Sequence, residues 1–454
     1  MTAVTSAVDG LACRAARGAA GLDVTALDSG VLVSVKAHLL DCLGMILAGA
    51  ADERVGRAVA APGPADVPFV LSLACSALGL DDFDEATRAH PGAVLVPALA
   101  GAAVAARHKV SGADMAAALV AGYQLFGGLG KAVDAGTLHL RGHHPSSFLG
   151  VPTSALAVCR MLRSDVATST DAIGIGASLS CGITEFDERE TMRAVQTAWA
   201  ASAGLRAARL AEAGFHASPA ALEAPGGLVG RTGTSADAPA AAELPTGPPW
   251  HIEQVSFKPY PHFSDLHPVS AVLIDMLGDQ RLPPEQVEVI GVRLTPSAAS
   301  RLFDDFPPQN AKQAKRSARF ALASCVVAAH RVGRGSALLG AFSPERLADA
   351  DVLDLAARIT VMADLPPQGA TGSVTVTLTD GRTWSGDAGG YPGDGRDPAL
   401  RWGWSDAVAR YGDLCTAASP DPQLGSALLD MVDGLERVDD VRPALQRLRR
   451  LVLR

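Results

Sequence analysis

A chain of 454 residues exceeds what one ordinary hydrophobic core organises, so two domains are expected. With 48% hydrophobic and 19% charged residues it has the make-up of a well-buried globular protein, which excludes a disordered chain. A formal charge of −9 excludes the basic face that nucleic acid would require, while leaving room for a local basic pocket that binds a small anion.

The first residues, "MTAVTSAVDGLACRAARGAAGLD", lack the continuous apolar run of a secretory signal. "SGVLVSVKAHLLDCLGMILAGA" then repeats apolar residues at helical spacing from a cap candidate, Ser29. "AVLVPALAGAAVAA", Ala93 to Ala106, is read as the longest apolar stretch. It is interrupted by Pro97 and shorter than the roughly 20 residues a bilayer demands, so no membrane partner and a cytoplasmic location are expected. "SGADMAAALVAGYQLFGGLGKAV" predicts a helix capped by Ser111, with Asp114 at the third helical position. "RAVQTAWAASAGLRAARLAEAG" predicts a long alanine-rich helix ending at Gly214; residues this small let neighbouring backbones approach closely.

A Pro- and Ala-rich connector, Ser235 to Trp250, marks a boundary, and beyond it the period changes. Gln286–Pro296, Arg358–Asp364 and Gly372–Gly386 alternate like strands, the last around an Asp380-Gly381 hairpin turn. "AKRSARFALASCVVAAHRVG" between them is helical, and helical periodicity returns after Asp397 in a tail expected to pack on the first domain. The predicted fold is mainly α: residues 1–250 and 395–454 form a large all-helical domain, and residues 251–394 a smaller α+β lid domain. The seven cysteines are scattered without a C-x-x-C pair and read as reduced core residues.

Catalysis-capable side chains gather in four stretches. "LGLDDFDEATRAHPGA" holds Asp81, Asp82 and His90, and "LHLRGHHPSSFLG" holds Arg141, His143 and His144. "ETMRAVQTAW" holds Arg193 and Gln196, and "FKPYPHFSDLHPVSAV" holds Lys258, His262 and His267. His90, His144 and His267 each precede proline, which pushes the residue before it into extended geometry and fits the first turn of a following helix. Each is therefore predicted at a loop-to-helix junction, where the helix dipole favours anions and a neutral imidazole. That suits a histidine base acting on a carboxylate substrate held by Arg193 and Lys258.

Plainer readings compete. Any single His-Pro serves equally as a structural junction, and Asp81–Glu85 reads equally as a solvated acidic loop. His139 and His143 read as neighbours of the site; His38, His108, His216, His251 and His330 read as structural. His143, His144, His262 and His267 could in principle ligate a metal, but no H-E-x-x-H or D-x-D-x-D-G pattern supports one. "GGLGKAV" and "GIGAS" match no nucleotide loop, and no G-x-S-x-G elbow occurs. No metal and no organic cofactor are expected.

The same stretches, in this order, resemble the MmgE/PrpD family of dehydratases, decarboxylases and epimerases. The resemblance is carried by "AHLLDCLGMILAGA", "HPGAVLVPALAGAAVAA", "GADMAAALVAGYQLFGGLG", "RGHHPSSFLGVPTSALAV", "FKPYPHFSDLH" and "GDGRDPAL". It implies a homodimer, a cofactor-free site in the cleft between helical domain and lid, functional roles for His90, His144 and His267, and the signature lysine at Lys258. The implied reaction is dehydration of a hydroxy-carboxylate resembling 2-methylcitrate. One of His144 and His267 removes the α-proton, the other protonates the departing hydroxyl, and His90 with Asp81 or Asp82 orients them. Decarboxylation or epimerisation of a related polycarboxylate, and a non-catalytic binding or scaffold role, are the alternatives. Gly79, Arg193, Gln196 and Phe320 depart from the residues common in the family at their positions, which implies a shifted substrate, one of secondary metabolism among them.

Overall fold

The computed structural model describes residues 10–184, 191–232, 247–279, 283–303, 306–332, 340–366, 370–418 and 421–454. Most of the connector Ser235–Trp250 lies outside these residues, as does Glu190. The chain divides into two compact units. Unit 1 comprises Met1–Ala77, Asp81–Ser256 and Gly403–Arg454; unit 2 comprises Leu78–Leu80 and Phe257–Trp402.

Unit 1 is helical. In chain order it carries α1 (Leu11–Ala20), α2 (Ser29–Gly49), α3 (Glu53–Val59), α4 (Val67–Ser76), α5 (Pro91–Ala105), α6 (Gly112–Ala132), α7 (Ala135–Leu140), α8 (Pro145–Met161), α9 (Val166–Leu179) and α10 (Thr191–Glu212). The chain then passes through unit 2, with α11 (His267–Asp279), β1 (Val287–Leu294), α12 (Ala318–Val332), α13 (Ala350–Ala357), β2 (Ile359–Met362), β3 (Gly372–Leu378) and β4 (Thr383–Ala388). It returns to unit 1 as α14 (Trp404–Ala418), α15 (Pro422–Asp433) and α16 (Arg442–Val452).

Local chemistry sets the helix ends. Asp28 caps α2 by accepting from the Val31 N–H, one residue before the predicted cap, Ser29, which is the first helical residue. Ser111 caps α6 as predicted: its Oγ accepts from the Asp114 N–H at 3.1 Å and donates to the Asp114 carboxylate at 2.7 Å. Pro91 and Pro145 open α5 and α8, where a missing N–H costs nothing. The alanine-rich α10 ends two residues before Gly214, and it packs on α8, α9, α4 and α5.

By length and composition α2, not Ala93–Ala106, is the described helix able to cross a membrane. It is mostly buried inside unit 1, where α14, α4 and α5 pack on it. Among the cysteines, the reduced core reading holds for Cys13, Cys42, Cys75, Cys159 and Cys325, whereas Cys181 is exposed and Cys415 partly so.

Unit 2 holds a four-stranded sheet in the order β2-β1-β3-β4. β1 pairs parallel with β2 through Ile290 opposite Ile359, and antiparallel with β3 through Val292 opposite Val374. β3 and β4 form the predicted hairpin, with Gly381 at φ +86° in the turn. The parallel pair requires a crossover, which α12 and α13 supply. Val287, Ile290, Val292, Val374 and Val376 join Phe320 and Leu322 in one buried core. The predicted helix from Ala314 is broken at Ser317: a short turn, Ala311–Arg316, precedes α12.

Candidate active site

In unit 1, His90 and His144 stand at loop-to-helix junctions as the His-Pro rule expects, with His144 extended and His90 outside the extended region. His90 (φ −120°, ψ 75°) and His144 (φ −84°, ψ 108°) are the residues immediately before α5 and α8, two helices that pack together. Neither ring caps its own helix. The two junctions are tied directly, because the His90 N–H donates to the Ser146 Oγ in the first turn of α8 at 3.0 Å.

Hydrogen bonding fixes each ring. His90 Nδ1 lies 2.7 Å from the Asp82 carbonyl oxygen, which only accepts, so Nδ1 carries the proton and Nε2 is the basic nitrogen of the neutral ring. His144 Nδ1 lies 3.2 Å from Ser147 Oγ, whose own hydrogen goes to the His144 carbonyl at 3.1 Å. His144 therefore also donates from Nδ1 and presents Nε2 as base. Its N–H donates to the Gly182 carbonyl at 3.3 Å. Burial, then the charges of Arg193, His90 and His139, hold the His144 pKa well below the usual histidine range, with Asp81 opposing them.

The acidic stretch is not a solvated loop. Asp81 and Asp82 are fully buried and Asp84 is 1% exposed, because the chain here is pinned from several sides. Asp81 Oδ2 sits 3.3 Å from His90 Nδ1 and 3.5 Å from the Arg193 guanidinium, joining an imidazole, a carboxylate and a guanidinium in one cluster. Asp82 accepts twice from the Gly92 N–H in the first turn of α5, at 3.0 and 3.1 Å, and from the Tyr123 hydroxyl at 2.7 Å. Gly92 is required there: a Cβ would stand 2.8 Å from Asp82 Oδ2 and 2.9 Å from the Tyr123 hydroxyl. Asp84 is held by His251 Nε2 at 2.6 Å and by Thr87 at 2.6 Å, which accords with a structural role for His251.

Gln196 and Arg141, both among the catalysis-capable side chains of the sequence, hydrogen-bond to backbone. The Gln196 amide accepts from the Ile183 N–H at 2.6 Å and donates to the Ile183 carbonyl at 3.1 Å. It thereby straps the segment whose Gly182, at φ +118°, receives the His144 N–H. Exposed Arg141 donates to the Thr232 carbonyl. His143 stacks at a tilt on Phe148, with ring centroids 5.0 Å apart.

Unit 2 carries the remaining predicted residues. His267 is fully buried and opens α11, but its backbone is helical (φ −59°, ψ −45°), not extended. The turn Ser264–Leu266 runs straight into the helix, and the His267 N–H donates back to Ser264. Continuity of the helical turn overrides the steric preference before proline. His267 Nε2 lies 3.3 Å from the His262 carbonyl, and His262 accepts at Nε2 from Ser270 at 3.0 Å. Tyr260 stacks on His262, and Tyr391 meets His267 edge-on at 5.0 Å. Burial lowers the pKa of both, His262 to about 3. Lys258 donates to the Gly79 carbonyl at 2.6 Å, where Gly79 has φ +73°, and Phe320 belongs to the apolar core.

Sequence reading missed the layer behind Asp82. His38 Nδ1 lies 3.5 Å from Asp82 Oδ2, and Asp41, one turn further along α2, lies 3.5 Å from the Arg410 guanidinium of α14. Two buried ionisable residues inside the apolar α2 were the available signal. Among the described residues, no group of three or more His, Cys, Asp or Glu is arranged to hold a metal ion.

The chain is 29% identical over 164 residues to cis-aconitate decarboxylase of Aspergillus terreus, covering 36% of this chain and 34% of the relative. It is 31% identical over 158 residues to cis-aconitate decarboxylase-like protein oryM of Aspergillus oryzae, covering 34% and 33%. The matched stretch thus spans about a third of each relative's length. Residues 14–239 match the MmgE/PrpD N-terminal domain, and the chain belongs to the MmgE/PrpD family.

Proposed function

We propose that this protein is a lyase that breaks a bond beside a carboxylate in a polycarboxylate substrate, using its own histidines as base and acid. The observation that carries the reading is the joined pair of junctions: His90 and His144 stand before packed helices, with Asp81 between His90 and Arg193.

The roles divide by environment. His144, kept neutral by burial and nearby cations, is the base. His90, with the Asp81 carboxylate stabilising positive charge on its ring, is the acid. A C–H beside a carboxylate is weakly acidic, so its removal depends on a cation placed against the developing enolate, the part assigned to Arg193. In water elimination His144 takes the α-proton and the C–H electron pair becomes the double bond. The C–O bond breaks, its pair leaves with the oxygen, and His90 protonates that oxygen to water.

A second reading is favoured by the relatives, which are named as decarboxylases. There the C–C bond to a carboxylate breaks, carbon dioxide departs, and its electron pair remains on the carbon chain as a dienolate. A histidine then delivers one proton to carbon. Decarboxylation needs no base: the same cation stabilises the dienolate, and a protonated histidine supplies the one proton.

Proton NMR in heavy water with citrate, 2-methylcitrate, cis-aconitate and malate tests the proposal. Loss of an α-proton with a new vinyl signal identifies dehydration. Carbon dioxide release with one deuterium incorporated identifies decarboxylation. Unchanged spectra for every acid in the panel would overturn the proposal.

A further inference from the structure

Helix α2 is an apolar core helix, and Leu39, Leu40, Leu43 and Ile46 are all at most 1% exposed. Yet His38 and Asp41, side by side on it, are also only 1% exposed. Arg410, from a helix near the far end of the chain, is 7% exposed. Burying charged groups is costly, and an ion pair in such a place is commonly no more stabilising than apolar side chains of the same size. Stability alone gives little reason to keep three such residues here.

Their order in space gives a reason. Arg410 faces Asp41 at 3.5 Å, and Asp41 is one turn from His38 on α2. His38 faces the Asp82 carboxylate at 3.5 Å, and the main chain of Asp82 holds His90 Nδ1 at 2.7 Å. Asp82 also fixes the first turn of α5 through Gly92, directly behind His90. The other titratable groups facing this chain are Tyr123 of α6, stacked at a tilt on His38, and the thiols Cys42 and Cys75.

We propose that His38, Asp41 and Arg410 are positioning residues forming a buried electrostatic relay that sets the orientation and charge of His90. The proposal rests on reading His90 as a proton-transfer group. Asp41 is the adjustable member: burial pushes its pKa up to about 6, against the pull of Arg410 and His38. A carboxyl that changes charge near neutrality, coupled through Asp82, biases His90 in a way that a permanently charged residue does not.

The test is the titration of His90 itself, followed by NMR of protein labelled with 13C-histidine, with the signal assigned through His90→Gln. Asp41→Asn removes a negative charge, so the His90 midpoint is expected to fall by about half a pH unit. Asp41→Glu, which keeps the charge, is expected to restore most of it. Should Asp41→Asn fail to fold, Arg410→Met takes its place: loss of the cation drives Asp41 neutral, and a smaller fall is expected, because the lost Arg410 charge, which lies farther along the relay, itself held the His90 midpoint down. A folded variant whose His90 midpoint equals that of the wild type overturns the relay. So does a folded Asp41→Glu that behaves like Asp41→Asn. This readout needs no substrate, so failure of the relay and failure of the lyase reading remain separate results.

Discussion

The His-Pro histidines of the two units, His90 and His144 in one and His267 in the other, begin from the same sequence signal and end in different chemistry. In unit 1, His90 and His144 lie among carboxylates and a guanidinium, with Asp81 linking His90 to Arg193. In unit 2, His262 and His267 lie among the rings of Tyr260, Tyr391 and Phe342. A His-Pro dipeptide tells where a helix starts. What surrounds the imidazole, and hence whether it shares charge with an acid or sits neutral among rings, is decided by segments distant in sequence.

The sharpest way to break this contrast is His144→Ala. It is expected to lower turnover by about 10²–10⁴-fold, as loss of a general acid–base group does, with the melting curve held near that of the wild type. Steady-state kinetics on the responsive acid would check it.

Acid separates the units next. His144, His262 and His267 all have folded-state pKa values below the ordinary 6.5. Above that pH both folded and unfolded chains leave them neutral, and stability is complete. As pH falls below it the unfolded chain binds protons that the folded chain refuses. By about pH 5 His262, whose folded value is about 3, has cost roughly 2 kcal/mol, and His144 and His267 lose stability in the same direction. Unit 2 carries two of the three and unit 1 only one. In unit 1 the loss is partly offset by Asp41, which at about 6 takes up its proton in the folded state first. Unit 2 is therefore expected to open before unit 1 on acidification. Hydrogen exchange read by mass spectrometry at pH 5 would show β1–β4 and α11 exchanging ahead of α5 and α8; the reverse order would refute the linkage.

His267→Phe gives a smaller effect in the same comparison. Fully buried and already among aromatic rings, the position is expected to regain about 1–2 kcal/mol at pH 5 and to show no such gain at pH 8. Melting curves at the two pH values decide it. The smallest change expected is from Gln196→Ala. It removes both hydrogen bonds to Ile183 and should cost about 1–2 kcal/mol, with faster exchange confined to residues 181–184 and the start of α8.

Much of this was legible in the residues. Period-2 alternation located all four strands, and the Asp380-Gly381 turn gave their only hairpin among the described residues. Side-chain type and spacing placed the Ser111 cap and the two junctions at His90 and His144, because capping and the proline effect are local. What was not legible depends on distant partners. Asp81 and Asp82 look like a solvated run until α5, α6 and Arg193 close around them. Gln196 and Arg141 carry ligand-binding chemistry in sequence, yet backbone carbonyls and an amide take their hydrogen bonds. His267 departs from the proline rule because a preceding turn joins its helix. Arg410 gives no local hint of Asp41, since only folding brings α14 onto α2.

The central claim is that His144 moves a proton at a substrate carbon beside a carboxylate. The most direct measurement is deuterium transfer from heavy water, followed by NMR on cis-aconitate and citrate, for the wild type and His144→Ala side by side. The account predicts turnover with deuterium in the product or the recovered substrate for the wild type, and at least about a 100-fold slower signal from a folded His144→Ala. A folded His144→Ala protein as fast as the wild type would contradict it.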